Sequence, residues 1–364
     1  AGVGVALLAL AGFLRSPVAV GAVVVAATAG RAAGAAGGAA LGYAGAPALF
    51  AYGAAAGGAV VLVHRFRERL AAGDRADDAV RTALERTGGV IATTCAAWAV
   101  ACAALPLVDA GTGGLGPALA VTAAAAALVP LTLLPALLAV LGDTLAWPPR
   151  RRRGGDPPPV TARLGLSVAA RPRPWTALAA SLIAALPVTG VLLTRSPPPL
   201  VVVAVAGVLT ALVLALALRT LIAPVYITAG ALLVASGAGT VAVTPRGQLT
   251  VFFFTLVTNV CAALLILARV RETTRTGRAP RTSASLSVKY AGPPALAVLL
   301  ASGALIAGTY DLLSAVMLTI GGTALALIIV PTLTTLLGER AWWPDTPPPP
   351  SSARREAGGG AFVR

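Results

Sequence analysis

The chain has 364 residues, of which 57% are hydrophobic and only 11% charged, with a formal net charge of +15. That composition excludes an ordinary soluble domain, and the apolar residues fall in runs near the ~20 residues that a helix needs to cross a bilayer. Three cysteines inside apolar runs and a single histidine, His64, speak against a disulfide framework and against a cysteine–histidine metal site.

The first run, "AGVGVALLAL", has no basic segment of the kind that opens a cleavable signal peptide. It reads as the remainder of a membrane helix at about 1–14, followed by "FLRSP" and a second helix at about 18–40. A third, at about 44–64, ends on "RFRERLAAG", Arg65 to Gly73. The polar stretch after it has the pattern of a helix lying along the interface, and Arg65 and Glu68, three apart, can pair on one face. Helices at about 88–108 and 116–141 follow, the latter closing on "LTLLPALLAVLG". Residues 149–174 are rich in Arg and Pro and read as a flexible linker between a first membrane unit, 1–148, and a second, 175–344.

The second unit opens with a helix at about 175–194 and continues with helices at about 199–218, 221–243, 249–268, 291–309 and 312–337. Residues 345–364 read as a disordered tail. The expectation is thus an all-α polytopic membrane protein of about eleven helices, with no gap near the ~50 residues that a further domain requires. His64 reads as an interfacial residue and the cysteines as small buried apolar groups.

Lys289 aside, the 28 basic residues are all arginine. Alternating the helices places Arg15, Arg65 to Arg86, Arg150 to Arg173, Arg219, Arg269 to Lys289 and the tail on one side, and leaves Arg31, Arg195 and Arg246 on or near the other. Arginine marks the cytoplasmic side, so the C-terminus is expected there. The same charge suits contact with anionic membrane lipids. Without a soluble module or interleaved aromatic residues, it does not point to nucleic acid.

The chain also repeats itself. Arg65, Arg67, Glu68 and Gly73 recur as Arg269, Arg271, Glu272 and Gly277, an offset of 204 (269 − 65). "LRS" at Leu14 recurs as "LRT" at Leu218, and Gly88 as Gly292, at the same offset. After one eight-residue shift, Gly142 and Trp147–Pro148 match Gly338 and Trp343–Pro344 at offset 196 (338 − 142). Both copies enter the membrane in the same direction, which predicts two parallel, pseudo-symmetric repeats of the kind common in transporters.

The order of "FLRSP", "RFRERLAAG", "LTLLPALLAVLG" and "WPP", echoed by "LRTLIAPVYI", "RVRETTRTG", "VPTLTTLLG" and "WWP", resembles the MMPL branch of the RND superfamily. The resemblance runs up to Pro344. It implies proton-driven export of lipids or other hydrophobic molecules from a bacterial cytoplasmic membrane, no cofactor, and twelve helices, of which these would be the second to the twelfth.

Two departures stand out. Such proteins carry large outer domains after their first and seventh helices, whereas "TRSPPP" alone separates helix 175–194 from the next; the position of the first such domain would precede residue 1. The family also places an Asp-Tyr pair in each of two helices, eight residues before the first Arg of the R-x-R-E motif. Here those positions hold Gly57-Gly58 and Cys261-Ala262, and none of the four carries an acid. Tyr52, Thr255, Thr258 and Asn259 are the polar groups left nearby, read as interhelical hydrogen-bonding residues or as remnants of a polar path. Asp109 and Asp311 read as solvated helix-end acids, with contact at an outer vestibule as the sharper alternative.

Three functions are open at this point. The first is an MMPL-type transporter of a hydrophobic or amphipathic substrate. The second is a non-pumping scaffold or partner subunit of an envelope assembly; a homo-oligomer or an envelope partner protein is the expected partner. The third, an intramembrane enzyme, would rest on Asp109 and Asp311 alone, and the chain is not expected to be an enzyme. In both copies of the R-x-R-E motif the expected role of Arg65, Arg67, Glu68, Arg269, Arg271 and Glu272 is to anchor a helix end on the cytoplasmic side.

Overall fold

The computed structural model describes residues 2–14, 16–40, 48–108, 115–146, 160–194, 199–242 and 245–344. These residues are almost wholly helical and form no strand, as a lipid-embedded chain requires, because a helix satisfies its own backbone polar groups. In chain order the helices are α1 (Gly2–Leu14), α2 (Pro17–Ala40), α3 (Ala48–Ala71), α4 (Ala76–Ala103), α5 (Leu105–Val108), α6 (Leu115–Leu131), α7 (Leu133–Leu141), α8 (Val160–Ala170), α9 (Pro172–Thr194), α10 (Leu200–Leu218), α11 (Ile222–Val241), α12 (Pro245–Arg275), α13 (Pro280–Thr309), α14 (Leu312–Ala324) and α15 (Val330–Leu337).

Eight segments among the described residues are long and apolar enough to cross a membrane: 17–40, 116–141, 172–193, 200–218, 222–241, 247–275, 280–309 and 312–342. The expected eleven are therefore not all recovered on that criterion. The difference lies at 1–14, which is short, and at α3 and α4, whose helices run on through charged residues.

That continuation changes the reading of the polar stretch after Arg65. Rather than lying along the interface by itself, Ala76 to Thr87 forms the first turns of α4, joined to α3 by a tight turn with Gly73 at φ +98°. The second half does the same, with α12 turning into α13 through Gly277 at φ +79°. The linker also holds structure. Residues 160–170 form α8, which lays Ala162, Gly165 and Val168 against α13. Arg31, assigned to the outer side by alternation, lies within α2.

Matching features recur at the expected offsets. Arg67 donates to the carbonyl of Leu14 at the end of α1, and Arg271 donates to that of Leu218 at the end of α10 at 2.9 Å. Each guanidinium supplies a donor to a helix end that has no partner of its own. The last long helix of each half is broken at one level. α6 gives way to α7 at Thr132, and the π-turn Leu325–Ile329 separates α14 from α15. Pro135 and Pro331, 196 apart (331 − 135), lie just after these breaks, and each removes an amide that would have closed the preceding turn. Beyond the breaks, the short 3₁₀ turn after α7 brings Leu145 to Ser16, and the one after α15 brings Trp343 to Leu221.

α12 is at the centre, with 89% of its apolar window buried, whereas α9 at 17% is the outermost span. α3 lies beside α12 and presents a run of small buried residues, among them Ala55, Ala59 and Val60.

Candidate functional site

α3 and α12 carry both sequence features that set this chain apart, and they place them at two depths. At the arginine-rich end the R-x-R-E motifs meet. Arg65 donates to its own Glu68 at 2.8 Å and across to Glu272 at 2.9 Å. Arg269 donates to its own Glu272 at 2.8 Å and across to Glu68 at 2.8 Å. The two arginines and two glutamates form a closed ring of ion pairs, 14–30% exposed. Removing one partner of a pair sheltered in this way costs more than breaking a surface pair.

The ring is not symmetric in its surroundings. Arg86 of α4 adds a further pair to Glu272. Its counterpart at offset 204 is Tyr290 of α13, whose ring lies 5.3 Å from the Arg269 guanidinium. His64 contacts the carbonyl of Tyr290 through Nε2 at 3.3 Å and packs beside Phe13. A small cleft lined by Val61, Leu265 and Pro294 opens beside the ring.

Two to three turns deeper, the positions singled out for their missing acids face one another. Gly57 and Gly58 of α3 and Cys261 of α12 line one apolar cleft together with Ile91, Cys95 and Val298. Ala262 is fully buried beside it. Thr258 lines the cleft, and Tyr52, on α3, is partly buried against the core. Asn259 donates from Nδ2 to the carbonyl of Thr255 on its own helix at 2.8 Å. Asn259 Oδ1 and Thr255 Oγ1 are buried without a hydrogen-bond partner among the described residues. No group of three or more His, Cys, Asp or Glu side chains able to hold a metal occurs among the described residues.

Asp311 caps α14. Its carboxylate accepts from the Ser314 amide at 2.6 Å and from the Ser314 hydroxyl at 2.7 Å. The D-x-x-S spacing in "DLLS" is the signal for that role. Asp109 lies outside the described residues.

The site thus combines a charged clasp at one end of two central helices with an uncharged cleft between them. Sequence reading paired Arg65 with Glu68 of its own motif, and it missed the exchange between motifs and the tie from Arg86. The repeat offset was the clue, since equivalent residues on two central helices can meet across an axis between them.

Comparison with known proteins places this geometry. The model of the MMPL family matches residues 1–177. The membrane protein ActII-3 of Streptomyces coelicolor is 40% identical over 99 residues, covering 27% of this chain and 14% of that protein. Among solved structures, SecDF from Thermus thermophilus, a translocon-associated membrane protein, superposes with a TM-score of 0.65 at 15% identity, over 92% of this chain and 62% of that one. SecDF in its super-membrane-facing form gives 0.53 at 14% identity, over 96% and 64%. At such identities the likeness is one of fold. The chain spans less than two thirds of either structure and about a seventh of ActII-3.

Proposed function

We propose that this chain, an MMPL-type membrane protein over its first half and RND-like in fold, is a membrane transport protein for lipids or other hydrophobic substrates that does not itself couple proton flow to transport. One observation carries the reading. The central helices are arranged as a facing pair, yet where they meet at mid-depth they present Gly57, Gly58 and Cys261 around an apolar cleft. A proton relay needs a group there that readily changes charge, and these positions hold glycines and a buried thiol in place of a carboxylate.

The matched hydrogen bonds of Arg67 and Arg271, and the reciprocal ring, support two parallel repeats about an axis between α3 and α12. The arginine-rich end, with α8 and the turns at Gly73 and Gly277, would face the bacterial cytoplasm, as would the C-terminus.

A second reading rests on the same missing acids: a partner subunit that keeps the fold and has given up pumping. The two separate in proteoliposomes loaded with a fluorescent phospholipid. Transport predicts that the reconstituted chain speeds transbilayer movement of the lipid, that an imposed pH gradient leaves the rate unchanged, and that Gly57→Leu, which fills the cleft, slows it. No acceleration over empty liposomes would remove the transport reading and leave the partner subunit. Acceleration that follows the gradient would remove the claim about protons.

A further inference from the structure

The cleft beside the ion-pair ring is built from the repeat. It is lined by equivalent positions of the two halves: Val61 and Leu265, Arg65 and Arg269, and Val90 and Pro294 are each 204 apart (265 − 61). Three further pairs at the same offset line it too, and these differ in kind. His64, Arg86 and Thr87, on α3 and α4, correspond to Ala268, Tyr290 and Ala291, on α12 and α13. The cleft therefore has one polar wall and one apolar wall. Arg86 and Tyr290 are both exposed, so it opens at the arginine-rich end.

Its polar side is rich in donors. Arg65, Arg86 and Arg269 set three positive charges against the two negative charges of Glu68 and Glu272, which leaves one over (3 − 2). Three guanidiniums carry about fifteen N–H donors, and two carboxylates accept about eight. The surplus shows at Arg269, whose Nε is buried without a hydrogen-bond partner among the described residues. Both oxygens of Glu68, the acid that lines the cleft, are already held by Arg65 and Arg269. Thr87 donates to the carbonyl of Ala83 at 2.6 Å, and Nε2 of His64 is turned to the carbonyl of Tyr290. The donors left for a ligand are thus guanidinium N–H groups. A buried donor without a partner is destabilising, and one added anion answers both the charge and the donor.

We infer that this cleft binds an anionic amphiphile, with its singly charged oxyanion head on Arg86 and on Nε of Arg269 and its apolar stem along Leu265, Ala291 and Pro294. One negative charge matches the one left over, and hydrogen bonds from guanidinium to an oxyanion are of the strong kind. A bare inorganic anion would leave the apolar wall against water. As the substrate class of the transport reading, a lipid-like acid taken up at the arginine-rich end, the inference rests on that reading. As a binding site it is measured without transport, so each can fail alone.

The test uses the whole chain in nanodiscs of phosphatidylcholine, which has no net charge. Decyl sulfonate carrying a diazirine on its chain, ionised at every working pH, is photolysed in the nanodiscs, and adducts are assigned by mass spectrometry. Decanol with the same diazirine is the comparison, at equal amounts in the bilayer. The sulfonate should label α12 and α13 about tenfold more than the alcohol, the scale of one charge-assisted hydrogen bond. Arg86→Gln should bring the sulfonate down to the level of the alcohol, and Arg86→Lys should keep most of the difference. Ala291→Leu narrows the apolar wall without touching a charge and should lower labelling by both probes. The wild-type ratio and Ala291→Leu decide the matter even if Arg86→Gln fails to fold. Equal labelling by the two probes, or a ratio that Arg86→Gln leaves unchanged in a folded protein, would overturn the head site. Inorganic phosphate that displaces the probe as effectively as unlabelled decyl sulfonate would make this a site for free oxyanions, and undiminished labelling of Ala291→Leu would remove the stem. Either result overturns the amphiphile.

Discussion

Arg65 and Glu272 are 207 residues apart in the chain and 2.9 Å apart in space, and Arg269 and Glu68 mirror them at 2.8 Å. Each glutamate is held both by its own helix and by the other, so the ring fastens the ends of α3 and α12 rather than merely marking where they leave the membrane. Neither helix can slide or turn at this end without exchanging partners.

Unequal loading of the two glutamates gives the first prediction. Glu68 is held by two arginines, and Glu272 by those two and by Arg86. Glu272→Gln leaves three cations facing one carboxylate. Because the groups are partly sheltered, the cost should fall between that of a surface pair and a buried one, about 2 kcal/mol, with Glu68→Gln at roughly half of that. Unfolding of each variant in mixed detergent micelles measures the difference. A larger loss for Glu68→Gln would mean that Arg86 does not bear on the ring. A double-mutant cycle of Arg65→Ala with Glu272→Ala should show positive coupling of about 1 kcal/mol.

Glycines at the two turns allow a test of backbone alone. Gly73 and Gly277 have φ values of +98° and +79°, which an L side chain rarely adopts, and a Cβ at Gly73 would meet nothing within 4 Å. Gly73→Ala should therefore cost about 1 kcal/mol through conformation only, with Gly277→Ala close to it. Gly89 lies exposed inside α4 with the same open space around it. Gly89→Ala should stabilise by up to about 1 kcal/mol, since alanine is the better helix former. Equal losses at all three positions would show that packing, not φ, sets the cost.

Topology can be read directly. With the native cysteines replaced, Asp74→Cys in the turn between α3 and α4 and Ser196→Cys between α9 and α10 should label from opposite faces of sealed vesicles. An arginine-rich loop held on the cytoplasmic side requires that result. Labelling of both from the same face would undo the orientation and the parallel repeats with it.

Much of this was legible in the sequence because rare residues carried it. The offsets of 204 and 196 are fixed by arginines, glycines and tryptophans standing in apolar runs, and the structure sets Arg67 and Arg271 in matching hydrogen bonds and Gly73 and Gly277 in matching turns. Counting back from R-x-R-E leads to Gly57, Gly58 and Cys261, which line one cleft, and to Ala262, buried beside it. Other features left weaker traces. α8 was hidden among Pro and Arg because its apolar face, Ala162, Gly165 and Val168, is small and brief. The clasp needed knowledge of which helices are central, and hydropathy alone does not rank burial. Arg31 falls inside the helix expected at about 18–40, and the structure keeps it within α2.

The last prediction concerns water in the cleft. Cys95 of α4 and Cys261 of α12 both line it, and both are buried among Ile91, Val298 and glycine backbone. Cys102 is also buried but lies off the cleft, so it reports general opening of the bundle. Thiols react through the thiolate, which an apolar surrounding disfavours, and a charged reagent must bring water with it. Neither Cys95 nor Cys261 should therefore be modified by a charged, membrane-impermeant methanethiosulfonate added to either face. Apolar N-ethylmaleimide should reach them at least about a hundredfold more slowly than it reaches Ser196→Cys, equivalent to an opening free energy of about 2.8 kcal/mol. Removing one cysteine at a time assigns the sites by mass spectrometry. If the charged reagent modifies Cys261 from one face while Cys102 stays intact, a wet path reaches the level of Gly57. The argument that these helices carry no protons would then fail at its first step, and the hydroxyl of Thr258 beside Cys261 would be the place to look for the path.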